Sequence, residues 1–239
     1  MSTLILSLGC DHVTIILTIC EGSGLSGLAH GARDKTNTER QQRQAEVLLK
    51  SVALSSVSSS ARCPVRVIIF SRPTRLAHKV LNGTARWPHH FSERLDIEVL
   101  PMEPPAFVYE QVLSDHPGRN RLCSAARRFY PWMVEKSRFN VTRAIDLDTD
   151  TILLRPVEEL WGHFLKFTQS NLVSMAQCEK CHYYRGRTGY PFPPNSSGYN
   201  AGVVHMDLIK MKQYKSAFKG LSWIDLTAFV WDKYKSALT

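Results

Sequence analysis

Residues 13–19 read VTIILTI, an apolar run dominated by β-branched side chains on both faces of an extended chain. A half-exposed strand alternates apolar with polar residues, so a strand apolar on both faces has to be covered on both sides. Two more short runs follow, residues 65–71 (VRVIIFS) and 96–101 (DIEVLP), each ended by a turn former or proline. Between the first two, residues 39–55 place apolar side chains at 45, 48, 49, 52 and 53, the 3.6-residue period of an amphipathic helix. Buried strands alternating with helices predict an α/β fold on a parallel or mixed sheet, with the three runs as neighbouring strands.

Further along, residues 122–136 read as a helix that Pro131 must bend or restart. Residues 157–167 read as a short helix with Trp161 and Phe164 facing inward, residues 177–199 as a loop and residues 201–206 (AGVVHM) as a strand. The tail to Thr239 is expected to be helical. Residues 22–38 are glycine-rich and then polar, which predicts a long loop. Neither a Gly-Lys-Ser/Thr nor a GxGxxG spacing occurs there, which argues against a phosphate cradle.

Composition excludes several function classes. The 239 residues carry 44% apolar and 21% charged side chains, as in ordinary globular domains, and enough for one large domain or two small ones. Thirty Lys and Arg against 21 Asp and Glu give +9, but they are scattered, with weak clusters only at Arg127-Arg128 and at Arg185 and Arg187. No nucleic-acid partner is expected from that footprint. Among the six cysteines only Cys178 and Cys181 have a suggestive spacing, and with a lone CxxC a loop disulfide or two free thiols is favoured over zinc. The opening MSTLILSLGCDHVTIILTIC is broken by Asp11 and His12 and lacks a basic leading segment, so it reads neither as a membrane span nor as a signal peptide. Three Asn-x-Ser/Thr sequons, at Asn82, Asn140 and Asn195, lean towards the secretory route.

The stretch with chemistry in it is RAIDLDTDTILLRP, residues 143–156. Asp146, Asp148 and Asp150 stand at i, i+2 and i+4, so an extended segment would project all three from one face. Like charges that close raise one another's pKa unless a cation lies among them. The apolar residues 151–154 place this cluster at the end of a buried strand. Hard carboxylate oxygens there suit Mg²⁺ or Mn²⁺, with open positions for phosphate oxygens. A solvated acidic turn before the next helix is the alternative. An EF-hand is excluded, since its glycine at position 6 and glutamate at position 12 are missing. A two-carboxylate hydrolase stays open, whereas Ser-His-Asp chemistry has no Gly-x-Ser-x-Gly to support it. His89-His90 are expected on the surface.

Asp148-Thr149-Asp150, followed by TILLRPVEELW to Trp161, resembles the DxD segment of family 8 glycosyltransferases, most of all the glucoside xylosyltransferases. Residues 123–131 (CSAARRFYP) resemble the family's helix with its Arg and Pro, and residues 198–207 (GYNAGVVHMD) its Asn-x-Gly-Val strand. The resemblance covers residues 13–239 as one GT-A-like (Rossmann-like) domain, incomplete at its C-terminal side, preceded by an N-terminal segment, residues 1–12, that is no clear anchor.

The resemblance implies an enzyme, a retaining transferase that moves xylose from UDP-xylose, α-1,3, onto O-linked glucose of EGF-like repeats in a glycoprotein acceptor. It implies Mn²⁺ (or Mg²⁺) held by Asp148 and Asp150, with Thr149 near the ribose and Ile19 and Cys20 near the uracil. Arg127 and Asn200 would take catalytic roles, and Ala201 and Gly202 would line the donor sugar. Asp146 falls inside the strand, one pair before the site, and is expected to matter less. A Golgi or endoplasmic reticulum lumen location follows, with membrane contact only through an anchor that this chain lacks.

The family also carries an Asp-Gln segment and a later His, the third metal ligand, beyond the Asn-x-Gly-Val strand. No His follows His205 here, so a fragment, an isoform or an incomplete gene model with little or no transfer is expected. The alternative is a non-catalytic fragment of a GT-A domain that binds nucleotide or a partner, and a weaker rival is a metal-dependent phosphohydrolase.

Overall fold

The computed structural model describes residues 12–20, 32–57, 63–104, 106, 126–178, 199–215, 220, 222, 223 and 225. Strand β1 (Val13–Cys20) lies in the middle of a six-stranded sheet whose order is β3-β2-β1-β4-β6-β5. β2 (Val65–Arg72), β3 (Leu95–Pro101) and β4 (Arg143–Leu147) run parallel with β1, in the neighbour order the apolar runs predict. The polarity then changes, because β6 (Tyr199–Asp207) pairs antiparallel with both β4 and β5 (Val173–Gln177). The C-terminal end of β4 therefore lies beside the N-terminal half of β6, with Leu147 opposite Val203.

Each face of β1 is buried in its own core. Ile15, Leu17 and Ile19 join Ala45, Leu48, Leu49, Val52 and Ala53 of helix α1 (Ala32–Val57), and helix α2 (Arg75–Thr84) adds Leu76, Ala77 and Val80. The opposite face buries Ile16, Ile68 and Phe70 against Phe129, Tyr130 and Met133. Helix α3 (His89–Ser92) is short, and His89 and His90 are exposed on it as expected. The helical face of α1 matches its 3.6-residue period, but the helix starts earlier than the pattern suggests. Residues 32–38 belong to α1 and correct the expected loop; they are polar, so periodicity carries no signal there.

Pro131 restarts the helix in the region expected to be one bent helix. Arg127–Phe129 form a 3₁₀ turn, helix α4 spans Tyr130–Met133 with proline in its first turn, and a second 3₁₀ turn covers Val134–Lys136. The first turn tolerates proline because its N–H would have no intrahelical partner. Similarly, helix α5 (Val157–Trp161) passes into a 3₁₀ turn at Gly162–Lys166. Phe164 is buried and Trp161 packs against the core. Strand β5 falls in a stretch with no strand signal, and Gln177, expected in a loop, is its last residue. Helix α6 (Leu208–Gln213) is capped by Asp207, whose side chain accepts from the Lys210 N–H. The expected tail helix beyond residue 225, the loop calls at residues 22–31 and 179–198, and residues 1–11 and 122–125 lie outside the described residues.

The three described cysteines, Cys20, Cys63 and Cys178, are disulfide-bonded. For Cys178 this sets aside the free thiol and the zinc ligand, and Cys181, with which the loop disulfide is expected, lies outside the described residues. Among the described residues no helix is long and apolar enough to cross a membrane.

His205 on β6 is buried against Phe164, and its Nε2 lies 2.8 Å from the Leu160 carbonyl. Desolvation lowers its pKa from 6.5, the Leu160 hydrogen bond opposes that, and His163 adds to the lowering. The unfolded chain therefore binds this proton more readily than the folded chain. His205 contributes its stability above the unfolded pKa, and loses it as pH falls through 6.5 towards the lower folded value. Melting curves from about pH 7.5 to about pH 5 should fall less steeply for His205→Gln than for the parent chain. Parallel slopes would show that His205 titrates alike in both states.

Candidate donor and metal site

The change of strand polarity gathers the site. β1 and β4 end at the same edge of the sheet, and β6 begins there, because an antiparallel strand starts where its parallel neighbours stop. Open α/β sheets bind ligands beyond the carboxyl ends of their strands where the strand order reverses, which here is between β1 and β4. Asp148-Thr149-Asp150 follows β4 directly. Asn200, Ala201 and Gly202 open β6, and Arg127 reaches the edge from the turn before α4.

The three aspartates do not share one strand face, which corrects the extended geometry expected of them. β4 ends at Leu147, and the Thr151 N–H donates to the Asp148 carbonyl at 3.0 Å, so residues 148–151 form a turn. Strand alternation places Asp146 inside the second core with no exposure, while the turn leaves Asp148 half-buried and Asp150 exposed. The segment after the turn is tied down, since the Leu153 N–H donates to Ser51 Oγ of α1 at 3.0 Å.

Arg127 joins the two environments. Its Nε lies 3.0 Å from Asp146 Oδ2, its Nη2 donates to Asp148 Oδ1, and its Nη1 donates to the Ala201 carbonyl at 2.6 Å. Side-chain exposure rises from 0% at Asp146 through 20% at Arg127 to 42% at Asp148, so the guanidinium leads from core to solvent. Its planar fork is suited to several oxygens at once. Burial works against its charge, but the carboxylates of Asp146 and Asp148, with Tyr130, raise its pKa on balance.

Behind Asp146 stands Tyr130. Its hydroxyl donates to Asp146 Oδ1 at 3.1 Å and lies 2.6 Å from Thr18 Oγ1 of β1, while its ring stacks on Phe70 with centroids 5.4 Å apart. Desolvation pushes Asp146 up from 3.8 to about 6 against the pull of Arg127 and the Tyr130 hydrogen bond. Desolvation and the nearby Asp146 charge push the Tyr130 hydroxyl well above its ordinary value, so it stays protonated as a donor. Tyr130 and Thr18 are functional candidates that the motifs do not reveal. The available signal is spacing: Tyr130 is three residues after Arg127, so the two share a helix face.

Gly202 closes the other side. The Asn200 side chain accepts from the Gly202 N–H at 2.7 Å, and the Gly202 carbonyl accepts from the Asp148 N–H at 2.9 Å. A Cβ on residue 202 would lie 3.0 Å from Asn200 Oδ1, tight enough to ask that side chain for a shift of a few tenths of an ångström, and 3.4 Å from Asp148 Oδ2, an ordinary contact. Ile19 and Cys20 end β1 at this edge, but Ile19 is buried in the first core and Cys20 in the second. Their side chains therefore do not face the edge, and their main chain pairs with β2 and is fastened where the Cys20 N–H donates to Gln41 Oε1 at 3.4 Å.

Among the described residues no group of three or more His, Cys, Asp and Glu side chains is placed to hold a metal. Asp148 and Asp150 still offer hard oxygens from one turn, and Asp148 Oδ2 is directed to the Gly202 side, away from the Arg127 contact. That donor set fits a divalent cation with most of its coordination completed by other oxygens, such as a diphosphate.

Gly202→Ala should weaken binding of added UDP with Mn²⁺ only slightly, because the new methyl presses on Asn200 Oδ1 while Asp148 Oδ2 stays at ordinary contact distance. Calorimetric titration checks this, and unchanged affinity in a folded variant would show that the close approach is without consequence for a ligand.

No family model matches the chain. Glucoside xylosyltransferase 2 of Mus musculus is 32% identical over 124 residues, covering 49% of this chain and 27% of that protein. Glucoside xylosyltransferase 1 of Mus musculus is 25% identical over 201 residues, covering 80% of this chain and 45% of that protein. The chain thus spans less than half the length of these relatives. Its fold is similar to that of mouse xyloside xylosyltransferase 1 in its apo form, with a TM-score of 0.57 and 16% identity over 94% of this chain and 76% of the other. It is also similar to the galactosyltransferase LgtC in complex with donor and acceptor sugar analogs, with a TM-score of 0.58 and 13% identity over 95% and 66%. The chain is a relative of the glucoside xylosyltransferases, built on the GT-A glycosyltransferase fold.

Proposed function

We propose that the chain binds UDP-xylose with Mn²⁺ (or Mg²⁺) at the edge formed by Arg127, the residue 148–151 turn and residues 200–202, as part of a retaining glycosyltransferase. The observation that carries this reading is the convergence of Asp148, Arg127 and the Ala201 carbonyl at the polarity switch of the sheet. Relatives named glucoside xylosyltransferase supply the sugar class. The acceptor we assign is O-linked glucose on EGF-like repeats of a glycoprotein, joined in α-1,3 linkage in the lumen of the Golgi or endoplasmic reticulum. The disulfide-bonded Cys20, Cys63 and Cys178 suit that oxidising compartment.

Mechanistically, Asp148 and Asp150 would hold the cation, which supplies charge neutralisation for the departing UDP. The protein's own groups then orient the donor. Arg127 holds Asp148 through Nη2 and fixes the Ala201 carbonyl through Nη1, which sets the spacing between the turn and β6. Asn200 is exposed at the same edge, with its Oδ1 committed to the Gly202 N–H and its amide nitrogen available to a sugar hydroxyl. Thr149, half-buried between the two aspartates, is assigned to the ribose.

UDP and Mn²⁺ should bind in a mutually dependent way, since the diphosphate supplies ligands that the carboxylates do not. Asp148→Ala and Asp150→Ala should each weaken both by about a hundredfold in calorimetry. UDP binding that is indifferent to Mn²⁺ would contradict the metal assignment, and tight binding of unrelated phosphates would favour a phosphohydrolase.

Transfer itself is read separately, with UDP-xylose and a glucosylated EGF-like peptide followed by mass spectrometry. Product that requires both Mn²⁺ and UDP-xylose is expected, and Arg127→Ala should lower its rate by about 10²–10³, the usual effect of removing one preorganised group. Equal transfer from unrelated donors, or an Arg127→Ala rate equal to the parent's, would contradict the assignment.

A further inference from the structure

We infer that Asp146 and Tyr130 are positioning residues for donor binding, acting through Arg127 rather than touching the ligand. The inference rests on the donor-site reading above and adds to it the groups that aim the guanidinium.

Arg127 is a long side chain rooted in a short 3₁₀ turn, and three rotatable bonds beyond Cβ would let its head sweep widely. The structure restrains it from below. Asp146 Oδ2 meets Nε at 3.0 Å, at the branch point of the guanidinium, so the plane of the fork is set before either terminal nitrogen finds a partner. Both terminal nitrogens then point away from the core, one to Asp148 and one to the Ala201 carbonyl. Asp146 is itself fixed, since its other oxygen accepts from Tyr130, whose hydroxyl also meets Thr18 and whose ring is stacked on Phe70. The chain of contacts runs from β1 through Tyr130, Asp146 and Arg127 to Asp148.

A carboxylate with no exposure is costly to keep charged, and a neutral side chain of the same shape would pack as well in this core. The asymmetry of its contacts suggests what the charge does. Oδ2 faces Arg127 at ion-pair distance but receives no well-directed hydrogen bond among the described groups, so the pair acts by charge and placement. This arrangement fits a group that aims a cation, and Asp146 is too deep to reach a ligand at the edge.

The test is a double-mutant cycle on the intact chain, read by calorimetric titration of UDP in the presence of Mn²⁺, with circular dichroism melts confirming that each variant is folded. Asp146→Asn keeps the shape and removes the charge, and it should weaken UDP binding about tenfold. Tyr130→Phe, which removes only the hydroxyl, should weaken it by a smaller factor in the same direction. In an Arg127→Ala background Asp146→Asn should have no further effect, because the residue it acts through is gone. Arg127→Ala leaves a buried charge without its partner, so if that variant fails to fold the cycle is run with Arg127→Lys.

A purely structural role would lower the melting temperature and leave UDP affinity unchanged in the folded population, which overturns the inference. Losses that simply add in the double variant overturn it too, since Asp146 would then act by a route other than Arg127. If the parent chain binds UDP and Asp146→Asn binds equally well, this inference alone falls. If the parent chain binds no UDP at all, the donor-site reading falls and takes this inference with it.

Discussion

The contact on which the edge of this sheet depends is the guanidinium of Arg127 between two carboxylates of unequal burial. Asp146 is inside and Asp148 is half outside, and one planar cation satisfies both while also meeting a main-chain carbonyl of β6. Surface ion pairs contribute about 0–1 kcal/mol, whereas removing one partner of a buried pair costs about 3–5 kcal/mol. The inner half of this bridge belongs to the second class and the outer half to the first. Its strong end therefore anchors the group, and its weak end can be traded for another partner.

That trade is possible because of where the sheet changes direction. In a wholly parallel sheet the neighbour of β4 would also end at this edge, and both strands would present their last residues. Here β6 starts at the edge, so the Gly202 carbonyl can accept from the Asp148 N–H and Ala201 can face Arg127. Glycine at 202 removes the side chain that would otherwise stand between Asn200 and Asp148. Backbone and side chain thus make the turn together, and α1 supports its surroundings through Gln41 and Ser51.

Much of this was legible in the sequence, and the reasons are particular. β1, β2 and β3 were readable because VTIILTI and VRVIIFS are buried on both faces and leave little choice of period. β5 was not, since VSMAQ lies at the sheet edge and is mostly exposed, so no hydrophobic pattern selects its register. Helix α2 escaped notice because RLAHKVLNGT ends in weak helix formers, although Leu76, Ala77 and Val80 bury one face. The DxD pair stood out by spacing alone, but spacing suggested a strand where a turn exists. By spacing Asp146 is the first of three carboxylates on one face, and only the family resemblance sets it apart, inside the strand and of less consequence. Its distinct role depends on Tyr130 and Arg127, which sequence order separates from it and the fold brings back.

The placement of β4 has a bearing on how the molecule is assembled. β1 is completed on one side by β2, but its other side waits for Ile145 and Asp146 to pair with Ile15 and Ile16, across more than half the chain. Contacts so far apart in sequence close slowly, because loop entropy is lost before the pairing rewards it. The first three strands can collapse early with α1 and α2, leaving one edge of β1 open. The charged bridge, the turn and the β6 edge all come into being with that last closure. The site is then a seam between an early and a late part of the fold, and a ligand that fits it holds the two parts together.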